Sequence, residues 1–429
     1  MKKLLVLLSV AALLCLTMNV WATGTPEKSS TVSQAVTLHC FVHYSEDQEK
    51  ASFNYALDAL KKDYPNVTIA IDVMPNDNDE KIKTLAATGD LPDLIDINAS
   101  LISLFSRSDK LVILDSYIQQ TGIAKSFLSN ADPMFKDKDG HILSVSNSVK
   151  HIGMLYYNKK LFADNGVKVP TKYSEFLDAV KAFRAKGITP LALFAAQQWP
   201  AFTFYDMLVS AKEPGGFKKI ETGTVHITDP AFVDAARKFK ELVDAGLVSK
   251  DAFTTAYDQA IASFFAGQAA MFQNGTWDVK NVGDTLGPNA GLLYAGVLAD
   301  NPGGWNAVGG GFGNGFSAAA QSKYKDVAGT LAGYLAVKTI EGQIVKNANI
   351  NTMLAGTFKP EVPYNALQQQ LANDMKNFSA GTSFWWGLTN PKIQTAIGDN
   401  LAKLLTGQYA VDDFIGQTDA AIKDALSGS

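Results

Sequence analysis

The stretch from Asp139 to Leu193 changes its periodicity several times within one short span, and this limits what the chain can fold into. An apolar, β-branched run leads to the aromatic Tyr156-Tyr157-Asn158, followed by a short helical phrase, KKLFADNG. Pro170 stops that phrase, an amphipathic helix follows, Lys186-Gly187 ends it, and PLALFA reads as a buried strand. A strand–helix–strand alternation of this kind belongs to an α/β domain.

The opening of the chain has the same grammar. Ala35 to Val42 reads as a buried first strand, and Ser45-Glu46-Asp47-Gln48 has the spacing of a capping box. Phe53, Ala56, Leu57 and Leu60 then recur at helical spacing. Val67, Ile69, Ile71 and Val73 alternate as a second strand, Glu80 to Thr88 is helical, and Gly89 stops it. Leu94 to Ile97 is a short third strand, so the opening is a β-α-β-α-β unit with a parallel sheet. Ligands of open α/β sheets gather at the carboxyl ends of strands, which nominates 41–46 and 98–100. Later, Thr228-Asp229-Pro230 caps a helix that ends at Gly246.

With 429 residues, two domains are expected. A net charge of −4 argues against nucleic acid, which requires clustered Lys and Arg. Residues 1–22 combine Lys2-Lys3, the apolar run Leu4 to Leu16 and Val20-Trp21-Ala22, the pattern of a cleaved secretory signal. Cys15 raises a lipid-tethered alternative, but Leu14 stands where a small residue is expected. Cleavage leaves Cys40 alone, so no internal disulfide is expected, and its setting in VTLHCFV suggests a buried strand thiol.

The phrases Asp139-Gly140, Tyr157-Asn158-Lys159, Leu161-Phe162, Gly166, Pro170-Thr171, Glu175-Phe176, Lys186-Gly187-Ile188 and Pro190-Leu191 together resemble the family 1 extracellular solute-binding proteins of ABC sugar importers, the maltose-binding type. Gly89 to Leu94, Ile261 to Trp277, the glycine-rich Val308 to Ala320 as a returning strand, and Lys323 to Val337 as the helix after it extend the resemblance over about 36–425. It implies a two-lobed α/β periplasmic-binding-protein fold with interleaved lobes, 34–148 plus 308–355 and 149–307 plus 356–429. It also implies an exported monomer, periplasmic or at the cell surface, that takes a carbohydrate ligand to ABC permease subunits and their ATPase in the inner membrane. No cofactor and no metal are implied.

Site residues follow from tryptophans and strand ends. An indole face offers a flat apolar platform for the C–H face of a sugar ring, and aromatic walls with few polar groups are the general form of a small-ligand pocket. By the resemblance, Trp199, Trp277 and Trp385 occupy stacking positions, with Trp386 as a neighbour and Trp305 as hinge packing. For each, packing against an adjacent element is the plainer alternative. From the other lobe come Glu46, His43, Asn98 and Ser100, with His151 near the crossing and Gly310, in Gly309 to Gly311, allowing close backbone approach. Glu46 also suits a helix N-terminus by charge alone, and His43 can be an ordinary strand-end histidine. At Asn98–Ser100 and at His151 the chain departs from the maltose-binding pattern, which implies a different sugar or linkage.

Catalytic signatures are missing: there is no G-x-S-x-G, no H-E-x-x-H, and no Cys/His cluster among five histidines. No pattern sets two carboxyls across one pocket as a glycosidase requires. The alternatives are a binding protein for a non-sugar polar solute, such as a polyamine, and, less favoured, a carbohydrate-active enzyme.

Overall fold

The structure, a computed structural model, describes residues 34–300, 307–308, 310–350, 353–380 and 385–427. The leader expected over 1–22, with Cys15, and Trp305 and Gly309 lie outside the described residues, as does the side chain of Trp386.

Thirteen strands are described: β1 (Val36–Val42), β2 (Val67–Val73), β3 (Leu94–Asn98), β4 (Met134–Lys136), β5 (Ile142–Ser146), β6 (His151–Asn158), β7 (Thr189–Ala192), β8 (Ala269–Gly275), β9 (Ala290–Leu293), β10 (Ala307–Val308), β11 (Gly310–Gly311), β12 (Asn314–Ala318) and β13 (Ser379–Ala380). They build two main sheets. One has the order β2-β1-β3-β12-β5-β4 and the other β11-β6-β8-β7, with β9 also on β6. In the first sheet β1 is parallel to both β2 and β3, the doubly wound start read from the sequence. The returning β12 is antiparallel to β3 and β5 and closes the gap between them. Each sheet has its own apolar core: Leu38, Phe53, Val145 and Phe316 belong to one, and Leu155, Phe176, Phe204 and Phe239 to the other. This is a two-lobed α/β fold.

Local signals explain the helices that frame the cleft. The helix Asp47–Asp63 starts one residue later than the Ser45 box predicts, with Glu46 as its cap. Glu49 Oε2 accepts from the backbone N–H of Ser45 at 2.9 Å and of Glu46 at 3.0 Å, because an acid at the third helical position reaches back to the free N–H groups. The helix Lys325–Val345 runs past the expected end near Val337, since Ala336, Ile340 and Ile344 continue its buried stripe. The glycine-rich 308–320 run is not one strand. Gly310 and Gly311 pair with Ile152 and His151 of β6, and the chain then crosses to β3 at Asn314. Cys40 is fully buried in β1, and burial pushes its thiol well above the ordinary range.

The two long helices meet at Gly342. A Cβ there would lie 2.4 Å from the backbone oxygen of Ser52, an approach that only glycine permits. Gly342→Ala is expected to cost about 1–3 kcal/mol through overpacking, read as a lower urea midpoint; an unchanged midpoint would show that the helices can separate freely.

Candidate functional site

A cavity of about 550 Å³ lies between the two sheets. It is lined by the end of β1, the loop 74–80, the crossing at 147–151, the starts of the helices at 47 and 199, and the turn after β8. His43, Glu46, Asn98, His151, Trp199, Trp277 and Trp385, all expected site residues, line it together. Ser100 and Gly310 do not. Ser100 is 2% exposed in the first turn of the helix Ala99–Ser106 and turns away from the strand end. Gly310 serves the sheet instead: a Cβ there would sit 2.3 Å from the His151 carbonyl oxygen.

The aromatic wall is continuous. Trp277 meets Trp199 at 5.8 Å between ring centroids and 62°, and meets His151 edge-on at 5.0 Å and 84°. Trp199, the first residue of the helix Trp199–Ser210, rests edge-on against Phe194 at 5.1 Å and donates its indole N–H to Gln197 at 2.6 Å. Gly275 makes room for the wall, since a Cβ there would be 2.0 Å from the Trp277 ring. Trp385 stands apart, edge-on to Phe202 at 5.4 Å and against Gly398. All three indoles are half-buried and line the cavity.

Polar groups on the facing lobe form a network around Asp96, a 3%-exposed carboxylate set among Leu94, Ile95 and Ile97 of β3. Asp96 accepts from His43 Nδ1 at 2.9 Å and from Asn147 Nδ2 at 2.7 Å. Burial pulls the His43 pKa down, but Asp96, by hydrogen bond and charge, together with Glu49 and Asp79, raises it to about 9. His151 has only burial acting on it, which lowers it to about 4, so it is neutral; its Nδ1 sits 3.2 Å from Thr276 Oγ1. Asn98 is committed at both ends: Oδ1 caps Leu101 N at 3.0 Å and Nδ2 donates to Asp79 Oδ2 at 3.1 Å.

Gln48 spans the cleft, donating to Glu46 at 3.0 Å and to Asp278, on the opposite lobe, at 3.3 Å. Burial lifts Asp278 to about 6, against hydrogen bonds from Tyr257, Gln48, Asn274 and Asn281. Burial also lifts Glu46 to about 8, reinforced by Glu49 and Asp278 and opposed by Gln48. A helix N-terminus acting alone would lower that value, so burial and carboxylate crowding outweigh it. Because the folded pKa is above the ordinary 4.5, the contribution of Glu46 to stability is complete below about 4.5 and is lost as pH rises through about 8. Glu46→Gln, which cannot ionise, is therefore expected to melt higher than the parent at pH 9 and to differ little at acidic pH. Thermal melts at both values check it; an equal deficit at both would assign Glu46 a purely structural hydrogen bond.

Phe194, Tyr257, Asp96, Asn147 and Gln48 line the cavity and Asp278 accepts from Gln48, but none was named as a site residue from the sequence, Gln48 entering only as a capping-box residue. Asp96 had a signal, a carboxylate inside LIDIN, and Asp278 directly follows Trp277. Among the described residues no cluster of His, Cys, Asp and Glu suits a metal ion, and no helix is long and apolar enough to cross a membrane.

Two lobes with a deep aromatic and polar cleft between them define a two-lobed solute-binding protein. The chain belongs to the bacterial extracellular solute-binding protein family, whose pattern matches residues 44–339. It is 26% identical over 291 residues to an uncharacterized ABC transporter extracellular-binding protein of Pyrococcus horikoshii, covering 64% of each chain. It is 25% identical over 387 residues to a probable sugar-binding periplasmic protein of Brucella suis, covering 86% of this chain and 89% of that one. The match thus spans less than two thirds of the Pyrococcus relative and most of the Brucella one. Among solved structures, a protein from a study of xylan utilization by Caldanaerobius polysaccharolyticus superposes with a TM-score of 0.78 at 26% identity, covering 90% of this chain and 99% of that one.

Proposed function

We propose that the chain is an exported, monomeric binding protein that captures a di- or oligosaccharide between its lobes and delivers it to an ABC importer without altering it. The observation that carries this reading is the convergence of Trp199, Trp277 and Trp385, from three separate stretches, on one cavity faced by hydrogen-bonding groups. The Brucella relative is a probable sugar-binding protein and the Caldanaerobius structure comes from a study of xylan utilization, which supports a carbohydrate as the ligand class. Ligand that touches both lobes only when they are shut has a differential affinity for the closed state, and that difference drives closure. The division into 34–148 with 308–355 and 149–307 with 356–429 is supported by sheet membership, apart from the short β10 and β11 pairings.

A cationic solute such as a polyamine is the second reading. Glu46, Glu49, Asp77, Asp79 and Asp96 line the cleft, while its lysines Lys83 and Lys280 are paired with Glu80 and Asp284. A thermal-shift screen with xylotriose, maltotriose, raffinose and spermidine separates the two. Ligand at ~100 times its Kd adds about 2.7 kcal/mol to stability. A shift with a neutral sugar, recovered intact by chromatography, supports capture; a shift with spermidine alone rejects the sugar.

A further inference from the structure

The floor of the cleft on the first lobe holds three polar atoms that the fold itself does not use. Ser148 and Thr339, 8% and 7% exposed, line the cavity, and neither hydroxyl has a hydrogen-bond partner among the described residues. Gln343 lines it too: its Nε2 donates to the Asn147 carbonyl at 3.0 Å, while its Oε1 is buried and unpartnered. The three are neighbours, since Thr339 and Gln343 are four residues apart on one helix face and Gln343 touches the residue before Ser148. A helical threonine ordinarily returns its hydroxyl to the carbonyl four residues back. Thr330 of the same helix does so, to Asp326 at 2.8 Å, whereas Thr339 does not. Buried hydroxyls and amide oxygens without partners are costly to keep in a folded chain, and here the three residues that carry them line one cavity.

We infer that Ser148, Thr339 and Gln343 form a subsite that reads the hydroxyl groups of a neutral sugar ring and turns away acidic sugars. The chemistry follows from donors and acceptors. Gln343 Oε1 can only accept, so it calls for a ligand O–H or N–H, and the two hydroxyls can both give and receive. The carboxylates of Glu49 and Asp96 line the same cleft, and its two lysines are already paired. A ring carboxylate placed there meets like charge from Glu49 and Asp96, and the cation that faces it, His43, is already held by Asp96 at 2.9 Å. Ring hydroxyls meet every one of these groups as donors. The inference rests on the sugar reading above and adds to it the class of sugar and the residues that select it.

Calorimetric titration of the full chain with xylotriose, maltotriose, raffinose and trigalacturonic acid tests it, together with Thr339→Val, Thr339→Ser and Ser148→Ala. At least one neutral sugar binds the parent, and trigalacturonic acid binds about ten-fold more weakly or not at all. Thr339→Val and Ser148→Ala each weaken the neutral sugar ~3- to 10-fold. Thr339→Ser, which keeps the hydroxyl, retains affinity. Without ligand, Thr339→Val melts at or above the parent temperature, because it removes a buried hydroxyl that had no partner. Unchanged affinity in both hydroxyl-deleting variants, weakening matched by lost stability, or tighter binding of trigalacturonic acid would each overturn the subsite while leaving sugar capture standing. Absence of binding to every neutral sugar overturns the sugar reading itself, and this inference with it.

Discussion

Trp277→Ala is expected to weaken neutral oligosaccharide binding about ten- to hundred-fold while the chain stays folded. The indole lies in the aromatic wall of the cavity, between His151 at 5.0 Å and Trp199 at 5.8 Å. Its removal takes away stacking, worth ~0.5–1.5 kcal/mol beyond area, and the buried area of the anchor as well. A deficit of about 1–3 kcal/mol in binding follows. A tryptophan held only as core would behave differently, costing ~3–5 kcal/mol of folding stability. Calorimetry reads the first quantity and urea unfolding the second. Full affinity in the variant would remove Trp277 from the binding surface, and a stability loss that accounts for all of the weakening would return it to the core. Gly275→Ala is a companion test, since its methyl displaces the same ring.

Asp96→Ala is expected to cost about 1–3 kcal/mol of folding stability, because it takes a buried carboxylate acceptor away from the Asn147 amide and the His43 ring. His43 and the Asn147 amide both depend on this carboxylate, and through Asn147 so does the crossing segment between the lobes. An exposed ion pair would be worth only ~0–1 kcal/mol, so the size of the loss in urea unfolding decides between the two. The pH dependence has a definite sign. His43 is raised from 6.5 to about 9, so its contribution is complete below about 6.5 and is lost as pH rises through about 9. The parent therefore loses stability from pH 7 to 9, and Asp96→Ala flattens that slope. A steeper slope in the variant would mean that His43 draws its proton affinity from elsewhere.

The frame of the fold was legible because its signals are local. Alternation in Val67 to Val73, the stop at Gly89 and the Asp229-Pro230 cap each act within a few residues, and each element appears where its pattern put it. Boundaries slipped where a competing local cap or a longer-range contact decided them. The 47–63 helix takes its cap from Glu49 reaching back, and the 325–345 helix is prolonged by burial against the first lobe. The glycine-rich run could not reveal that its halves serve different sheets, since pairing partners lie far away in sequence.

The candidate site divided in the same way. Tryptophans in proline- and glycine-bounded contexts carried a visible signal, and they do line one cavity. Ser100 was named because it follows a strand end, but strand geometry alone does not fix which way the next helix turns its first residues. The network of Asp96, His43 and Asn147, and the Gln48 link to Asp278, unite residues that are distant in sequence, so no spacing exposes them. Burial gives Glu46 and Asp278 their raised pKa values, and burial is a property of the assembled lobes.

A crystal structure of the chain with a neutral oligosaccharide is the most direct measurement. The predicted result is one sugar between the two sheets, with a ring against the Trp277 and Trp199 indoles and its hydroxyls on the groups of the first lobe. Sugar bound outside the cleft, or a cleft occupied by a cationic solute with the indoles untouched, would contradict capture by an aromatic wall.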